Sequence, residues 1–276
     1  MIRKGLPEVW KWSNPTGPVK WGDSPCKGVG LFLGGDKEIS AGREVCFLPA
    51  SKTITSEDVM GLTKNERMRF IDNIQEKCSV LFPRHTPNFG IMSRLIITAS
   101  QMYMAEIKPE VVQAPFSKYA LGTSLKDLPM FYDQKTMPYL MKSSILPKLL
   151  GYKTILNKLN EEVLNKSFPG LNPTAFLHLF GFIRSRALNL TPLDSSKAFD
   201  PLVISPVFDL LNHEFKPSCI IDSIFDRITD ESAFVLRSIR NIKPGEELTV
   251  SYGKWGRVRI KQDRQPRTLL AIRVCD

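Results

Sequence analysis

The stretch FDLLNHEFKPSC, from Phe208 to Cys219, joins an apolar run to a polar Asn212-His213 pair and a loop that contains proline. A second stretch, GEELTVSYG from Gly245 to Gly253, carries Tyr252 close to its end. Buried polar side chains require hydrogen-bond partners, so an amide and an imidazole that end an apolar run are typical of a structured polar site. The two stretches therefore mark a candidate site in the C-terminal part of the chain.

The composition indicates a soluble protein. The chain has 276 residues, of which 42% are hydrophobic and 24% are charged, enough for one large domain or two small ones. No apolar run reaches the roughly 18–20 residues of a spanning helix, and the N-terminal stretch lacks the apolar segment of a secretory signal. We expect an intracellular protein of the cytoplasm or nucleus, with an organelle left open, and no membrane partner. The oligomeric state is not predicted.

The cysteines and histidines give no metal-binding pattern. Five cysteines lie far apart without a C-x-x-C pair, and the three histidines share no ligand spacing. We predict reduced thiols and no metal. His178 lies on an apolar helical face and is predicted to be a core residue with a satisfied ring. Cys219 is not predicted to be a nucleophile, because a loop separates it from His213, the only near base.

The net charge is +10, and the C-terminal segment 254–276 contributes seven Lys/Arg against two Asp. Such a segment suits an acidic protein, a nucleic acid or an anionic cofactor, or is simply a solvated end. Binding of nucleic acid through this segment ranks last among our hypotheses, since no aromatic residue follows Trp255 and base stacking needs aromatics among the charges. We therefore expect no nucleic-acid partner.

The order of the predicted elements is strands, then helices, then strands, which indicates an α+β fold. The early strands are GVGLFLG and REVCFLP, and the late ones are PLVISPVFDLL, SCIIDS, SAFVLRSI and EELTVSYG. The helix of NPTAFLHLFGFIRSRAL is predicted to start with Asn172 as N-cap and Pro173 in its first turn. A β core of short strands from both chain ends, interrupted by a helical insert, follows from this order.

Two turns have similar sequences. NIKPGEEL and EISAGREV share Ile-x-x-Gly followed by Glu two residues later. Pro244-Gly245 suits the central positions of a type II turn. We predict two hairpins of the same construction near opposite ends of the chain, without inferring a sequence repeat.

The sequence excludes several common chemistries. It contains no Walker P-loop, no G-x-G-x-x-G and no G-x-S-x-G elbow. The remaining features centre on the main chain and on a few polar groups. Gly28-Val29-Gly30 would let the backbone approach a ligand closely, the Asn212-His213 pair offers donors and acceptors, and Tyr252 is predicted at the end of a strand.

In this order, KGVGLF, FGFIRSRAL, SPVFDLLNH and IKPGEELTVSYG resemble the SET-domain methyltransferases. The similarity is to the split-SET branch, like the Rubisco large-subunit lysine methyltransferase, in which a helical insert interrupts the SET strands. It covers residues 27–255 and predicts four parts: N-terminal SET strands at 22–57, a helical insert at 58–200, a C-terminal SET segment at 201–255 and a short basic tail at 256–276. The tail departs from the family, which usually continues with an aromatic segment and a helical substrate-binding domain.

The resemblance implies a protein-lysine N-methyltransferase that uses S-adenosylmethionine (SAM) and acts on a protein substrate, expected to be other than a histone. Tyr252 matches the catalytic tyrosine. The residues expected to bind substrate are Phe208, for which core packing is the alternative, and Arg184. The residues expected to bind the cofactor are Gly28, Val29, Gly30, Leu31, Arg186, Asp209, Asn212 and His213. Two alternatives stay open: a histidine-directed methyltransferase, and a non-catalytic SET-like interaction module.

Overall fold

The computed structural model describes residues 6–24, 28–55, 119–125, 145–167, 172–189, 202–226 and 231–252, with the single residues 69, 72, 76, 80, 128, 131, 138 and 141. The chain divides into two compact units. The helical unit comprises Met1–Trp12, Ile54–Arg186 and Leu202–Ile204, and the β unit comprises Ser13–Thr53, Ala187–Pro201 and Ser205–Asp276. The β unit therefore takes its chain from both ends of the sequence, as predicted.

The helical unit contains the long helices. Its elements are α1 (Leu6–Ser13), α2 (Ile145–Leu159), a π-helical turn (Asn160–Leu164), α3 (Asn165–Ser167), α4 (Pro173–Arg186) and the paired short strands β4 (Ile54–Thr55) and β6 (Leu202–Ile204). Within the part of the chain that the structure describes, no helix is long and apolar enough to cross a membrane. Much of the helical insert predicted at residues 58–200 lies outside the described residues.

Helix α4 begins as its sequence predicts. The Asn172 side-chain oxygen accepts hydrogen bonds from the N–H groups of Thr174 at 2.9 Å and Ala175 at 3.3 Å. Pro173 follows the cap, where its missing N–H costs nothing. The predicted N-cap is confirmed.

The ring of His178 on α4 lies beside the main chain of a neighbouring segment. Its Nε2 is 3.0 Å from the Ala120 carbonyl oxygen, and the ring is half-buried. Around it, α4 buries apolar side chains that include Phe176, Phe180 and Phe182. The prediction of a satisfied ring is confirmed, whereas the residue is half-buried at the edge of the core rather than within it.

The β unit contains two main sheets. Its strands are β1 (Val19–Ser24), β2 (Gly28–Leu33), β3 (Glu44–Pro49), β5 (Leu188–Asn189), β7 (Asn212–His213), β8 (Cys219–Asp226), β9 (Glu231–Ser238) and β10 (Glu247–Val250). One sheet has the order β1-β2-β10-β7 and the other has the order β3-β9-β8. Strands β10 and β7 run parallel, whereas the other pairs of these two sheets are antiparallel.

The two similar turns have the same geometry. In the turn 243–246, the last N–H donates to the first carbonyl at 3.1 Å and Gly245 has φ +76°. In the turn 40–43 the corresponding bond is 3.3 Å and Gly42 has φ +80°. Glycine is favoured at this position because a side chain at positive φ is strained. These values fit the type II turn predicted at Pro244-Gly245, and the turn at residues 40–43 has the same geometry.

These turns do not close hairpins, so that prediction was wrong. Each one carries the chain from one sheet to the other, β2 to β3 and β9 to β10. The two connections pair with each other instead, since the main chains of Ile39 and Ile242 exchange hydrogen bonds of 3.0 and 2.9 Å. The glycine of each turn also donates its N–H to the last residue of a strand. Gly42 donates to the Ser238 carbonyl at the end of β9 at 2.8 Å, and Gly245 donates to the Leu33 carbonyl at the end of β2 at 2.9 Å.

The predicted strand PLVISPVFDLL is interrupted. Only Leu202–Ile204 is extended, and a 3₁₀ turn forms at Phe208–Leu210 before β7. Pro206 has no N–H to donate to a ladder, and Val207 takes φ +78°, a strained value for a β-branched residue. The chain therefore turns sharply just before Asn212, which itself starts a short strand rather than ending a long one.

Candidate functional site

Residues Gly28–Leu31 form part of strand β2, as predicted for GVGLFLG. Strand β1 pairs with β2 along its whole length, whereas β10 pairs with β2 only at Leu31 and Phe32. Val29 lies beyond the β10 ladder, and its carbonyl oxygen receives the Asn212 side-chain N–H at 3.4 Å. The predicted glycine segment thus contacts the predicted Asn-His segment directly.

The amide of Asn212 has a defined orientation. Its Nδ2 donates to the Glu247 carboxylate oxygen Oε1 at 2.6 Å as well as to the Val29 carbonyl. Both partners can only accept when Glu247 is ionised, so the nitrogen rather than the oxygen must face them. The acceptor Oδ1 of Asn212 is consequently turned away from this pair.

Glu247 connects strands on both sides of β10. While Oε1 accepts from Asn212, Oε2 accepts the hydroxyl of Ser24 at 2.9 Å. Gly30 makes room for this carboxylate, because a Cβ at Gly30 would lie 2.6 Å from Oε1 and 3.1 Å from Asn212 Nδ2. Ser24 on β1, Glu247 on β10 and Asn212 on β7 therefore form a row of hydrogen-bonded polar side chains. The row passes over Gly30 of β2, which has no side chain.

The ring of His213 supports the segment that carries Tyr252. Nδ1 of His213 accepts the Tyr252 main-chain N–H at 3.1 Å, and the two rings lie 5.2 Å apart with a tilt of 37°. An accepting Nδ1 requires the ring proton on Nε2. Phe215, which is 75% exposed, also contacts the imidazole edge-to-face, with the ring centres 5.2 Å apart.

Tyr252 lies two residues beyond the end of β10 rather than on the strand itself. Its hydroxyl donates to the Leu211 carbonyl oxygen at 2.5 Å. Main chain and phenol of Tyr252 are therefore both tied to the short segment Leu211–His213. The oxygen of the phenol keeps its acceptor character, since the hydroxyl proton is directed at a carbonyl.

The turn before Asn212 is buried. Phe208 is fully buried and Asp209 is 4% exposed. The Asp209 main-chain N–H donates to the Ser205 carbonyl at 2.9 Å, next to the strained Val207. Full burial of Phe208 fits core packing, and the substrate-binding role of Phe208 stays a prediction. Backbone strain of this kind is often found at functional sites.

Ser218 and Thr249 fasten the loop after His213 to strand β10. The Ser218 N–H donates to Thr249 Oγ1 at 3.1 Å, and the Thr249 N–H donates to Ser218 Oγ at 2.9 Å. Both residues are buried, so this reciprocal pair satisfies main-chain donors that water does not reach. It holds β10 and the loop in register beside Tyr252.

Arg184 and Arg186 belong to the helical unit, in the last turn of α4. Both side chains are half-buried, and the Arg186 guanidinium lies 5.2 Å from the ring centre of Phe182. This contact is a cation–π interaction within one helix. The cofactor role of Arg186 and the substrate role of Arg184 stay predictions.

The β unit thus brings together the glycine strand, Asn212, His213 and Tyr252, which lie up to 224 residues apart in sequence. Sequence reasoning missed Ser24 and Glu247 as members of this cluster. Glu247 could have been found, since it lies inside the GEEL motif. Ser24 carried no signal, because its contact spans 223 positions.

The comparisons with known proteins agree with this architecture. The family model described as SET domain matches residues 28–253. The chain therefore belongs to the SET domain family, and the resemblance inferred from the motifs is confirmed. No curated protein sequence matches the chain.

Several solved structures share the fold. The SET domain of LSMT bound to lysine and AdoHcy is 19% identical with a TM-score of 0.63, over 91% of this chain and 54% of that chain. The same domain bound to MeLysine and AdoHcy gives 20% identity and 0.63 over 92% and 54%. Rubisco LSMT bound to AdoMet gives 20% and 0.58 over 92% and 54%. The chain spans about half the length of these structures, and the α+β SET fold is confirmed.

Proposed function

We propose that the chain is a SAM-dependent protein-lysine N-methyltransferase acting on an intracellular protein other than a histone. The observation that carries the proposal is the placement of Tyr252, whose phenol and N–H are tied to the Asn212-His213 strand. Membership of the SET domain family and the fold shared with structures that hold AdoHcy, AdoMet and lysine support it.

The residues of the site fit the cofactor. SAM carries a sulfonium and an ammonium group against one carboxylate, so its net charge is positive. Asn212 has both amide hydrogens directed at Val29 and Glu247, which leaves Oδ1 to accept from an ammonium. The Glu247 carboxylate adds a negative charge nearby, and it fills, together with the Asn212 amide, the space that the missing side chain of Gly30 leaves.

Bound SAM would supply an electrophilic methyl group on sulfur. The protein must then present a neutral amine, although under about one lysine in a thousand is neutral at pH 7 with a pKa near 10.4. Removal of the amine from water would lower its pKa. Tyr252 and neighbouring carbonyl oxygens such as that of Leu211 would attract the polarised methyl and align it with the amine.

Calorimetric titration of the 276-residue chain with SAM tests the cofactor. A lysate incubated with the protein and methyl-labelled SAM, followed by mass spectrometry, then identifies the modified residue. Label on lysine supports the proposal, and label on histidine supports the histidine-directed alternative. SAM binding without any label supports the interaction module, and absence of SAM binding overturns the cofactor assignment.

A further inference from the structure

We propose that Glu247 is a positioning residue that fixes the side chain of Asn212 for cofactor binding. This inference rests on the proposed function, because it assigns a role within the same site. Glu247 acts through Asn212 and is not itself proposed to contact the reacting atoms.

The first argument is the geometry of the amide. Asn212 has one short bond, 2.6 Å to Glu247 Oε1, and one long bond, 3.4 Å to the Val29 carbonyl. A charge-assisted bond is stronger than a bond to a neutral carbonyl. The carboxylate therefore determines which way the amide turns, and without it the longer contact alone would have to hold the side chain.

The second argument is that the carboxylate itself is fixed. Ser24, which is only 7% exposed, donates to the other oxygen, Oε2, at 2.9 Å. The missing side chain of Gly30 provides the space in which Oε1 lies. Partners on two other strands thus determine the position of Glu247, so its orienting effect on Asn212 is built into the sheet.

The third argument comes from the adjacent glutamate. Glu246 accepts from the Lys243 N–H at 3.1 Å and from the Arg240 guanidinium, so its carboxylate serves the turn rather than the site. Two consecutive glutamates therefore have separate roles. Glu246 offers a matched control for substitutions of Glu247.

The test uses two opposite changes in the full chain. Glu247→Gln keeps the length and one acceptor oxygen but loses the charge, whereas Glu247→Asp keeps the charge but withdraws it by one methylene. We expect SAM affinity to fall about 10–100-fold in Glu247→Asp, the range of a lost bond to a charged group. Glu247→Gln should lose less, about 3–10-fold, because its oxygen still accepts from Asn212 but without the charge, and the control Glu246→Gln should bind as the wild type does.

Additivity separates positioning from general damage. If Glu247 acts through Asn212, then Glu247→Asp added to Asn212→Ala should cause no further loss of SAM affinity. The side-chain amide protons of Asn212 in a ¹⁵N NMR spectrum should also be slow to exchange in the wild type and in Glu247→Gln, but not in Glu247→Asp. This second readout needs no cofactor.

The outcomes are distinguishable. If the wild type binds no SAM, the proposed function fails. If the wild type binds SAM and Glu247→Asp binds equally well, or if the loss adds fully to that of Asn212→Ala, the positioning role is overturned while the proposed function stands.

Discussion

The main-chain N–H of Tyr252 donates to Nδ1 of His213 at 3.1 Å, and the same tyrosine gives its hydroxyl proton to the Leu211 carbonyl at 2.5 Å. The residue is held at both ends although it lies outside any strand. A residue that is fixed once through its main chain and once through its side chain loses little further freedom when a substrate binds. His213 is therefore part of the support of Tyr252, whatever else it contacts.

Replacement of His213 tests this support. His213→Phe keeps a ring for packing on Phe215 but removes the acceptor for the Tyr252 N–H. We expect the free energy of unfolding to fall by about 1–2 kcal/mol, measured by urea denaturation. His213→Asn places an oxygen where Nδ1 lies and should recover part of the loss. Equal midpoints for wild type and His213→Phe would contradict the support by His213.

Replacement of Tyr252 by Phe removes only the phenol oxygen. We expect Tyr252→Phe to bind SAM within about threefold of the wild type by calorimetry, since the ring and the bond to His213 remain. Methyl transfer should fall by about a hundredfold or more, as when a polar group that stabilises a transition state is lost. Methyl transfer by Tyr252→Phe at the wild-type rate would contradict the catalytic role proposed for Tyr252.

Two Gly→Ala substitutions distinguish an effect on cofactor binding from an effect on the stability of the fold. At Gly30 the new methyl would lie 2.6 Å from Glu247 Oε1, the end of a flexible side chain that can move but would then release Asn212. We expect Gly30→Ala to lose about tenfold in SAM affinity with a small change in stability.

Gly151 provides the control for this substitution. It lies in α2, and among the described residues no atom beyond the neighbouring backbone of its own helix is within 4 Å of an added Cβ. Gly151→Ala should raise the free energy of unfolding by about 0.5–1 kcal/mol, because alanine favours helix, and leave SAM affinity unchanged. If Gly30→Ala also leaves affinity unchanged, the crowding at Glu247 has no consequence for the site.

The sequence predicts the local features well. Caps and turns depend on residues close in the chain, so Asn172 and Gly245 could be assigned from their neighbours. The α+β core from both chain ends followed from the order of the elements. Pairing between distant segments could not be predicted from the sequence. The two turns predicted to close hairpins instead lie in connections between the two sheets, and these connections pair with each other at Ile39 and Ile242. Contacts such as Ser24 with Glu247 depend on that pairing.

Two buried thiols in the β unit provide a further prediction. Cys46 on β3 and Cys219 on β8 are buried and form no disulfide. Burial, followed by the charge of Cys219, raises the pKa of Cys46 from 9.0 to about 12. Burial also raises the pKa of Cys219 to about 11, although the Ser218 hydrogen bond and Arg240 oppose it. Since the thiolate is the nucleophile, we expect both to resist iodoacetamide at pH 8 in the native protein.

The same pKa shifts predict how the stability of the protein changes at alkaline pH. Unfolding lowers both pKa values, so above about pH 9 the unfolded state loses its thiol protons first and is favoured. The stability from neutral thiols is complete below that pH and declines as the pH approaches 11 to 12.

Peptide mass spectrometry after alkylation should show both cysteines modified in denaturant and neither in the native chain. Modification of Cys46 in the native chain, at the rate of a free thiol, would contradict its burial in the β unit.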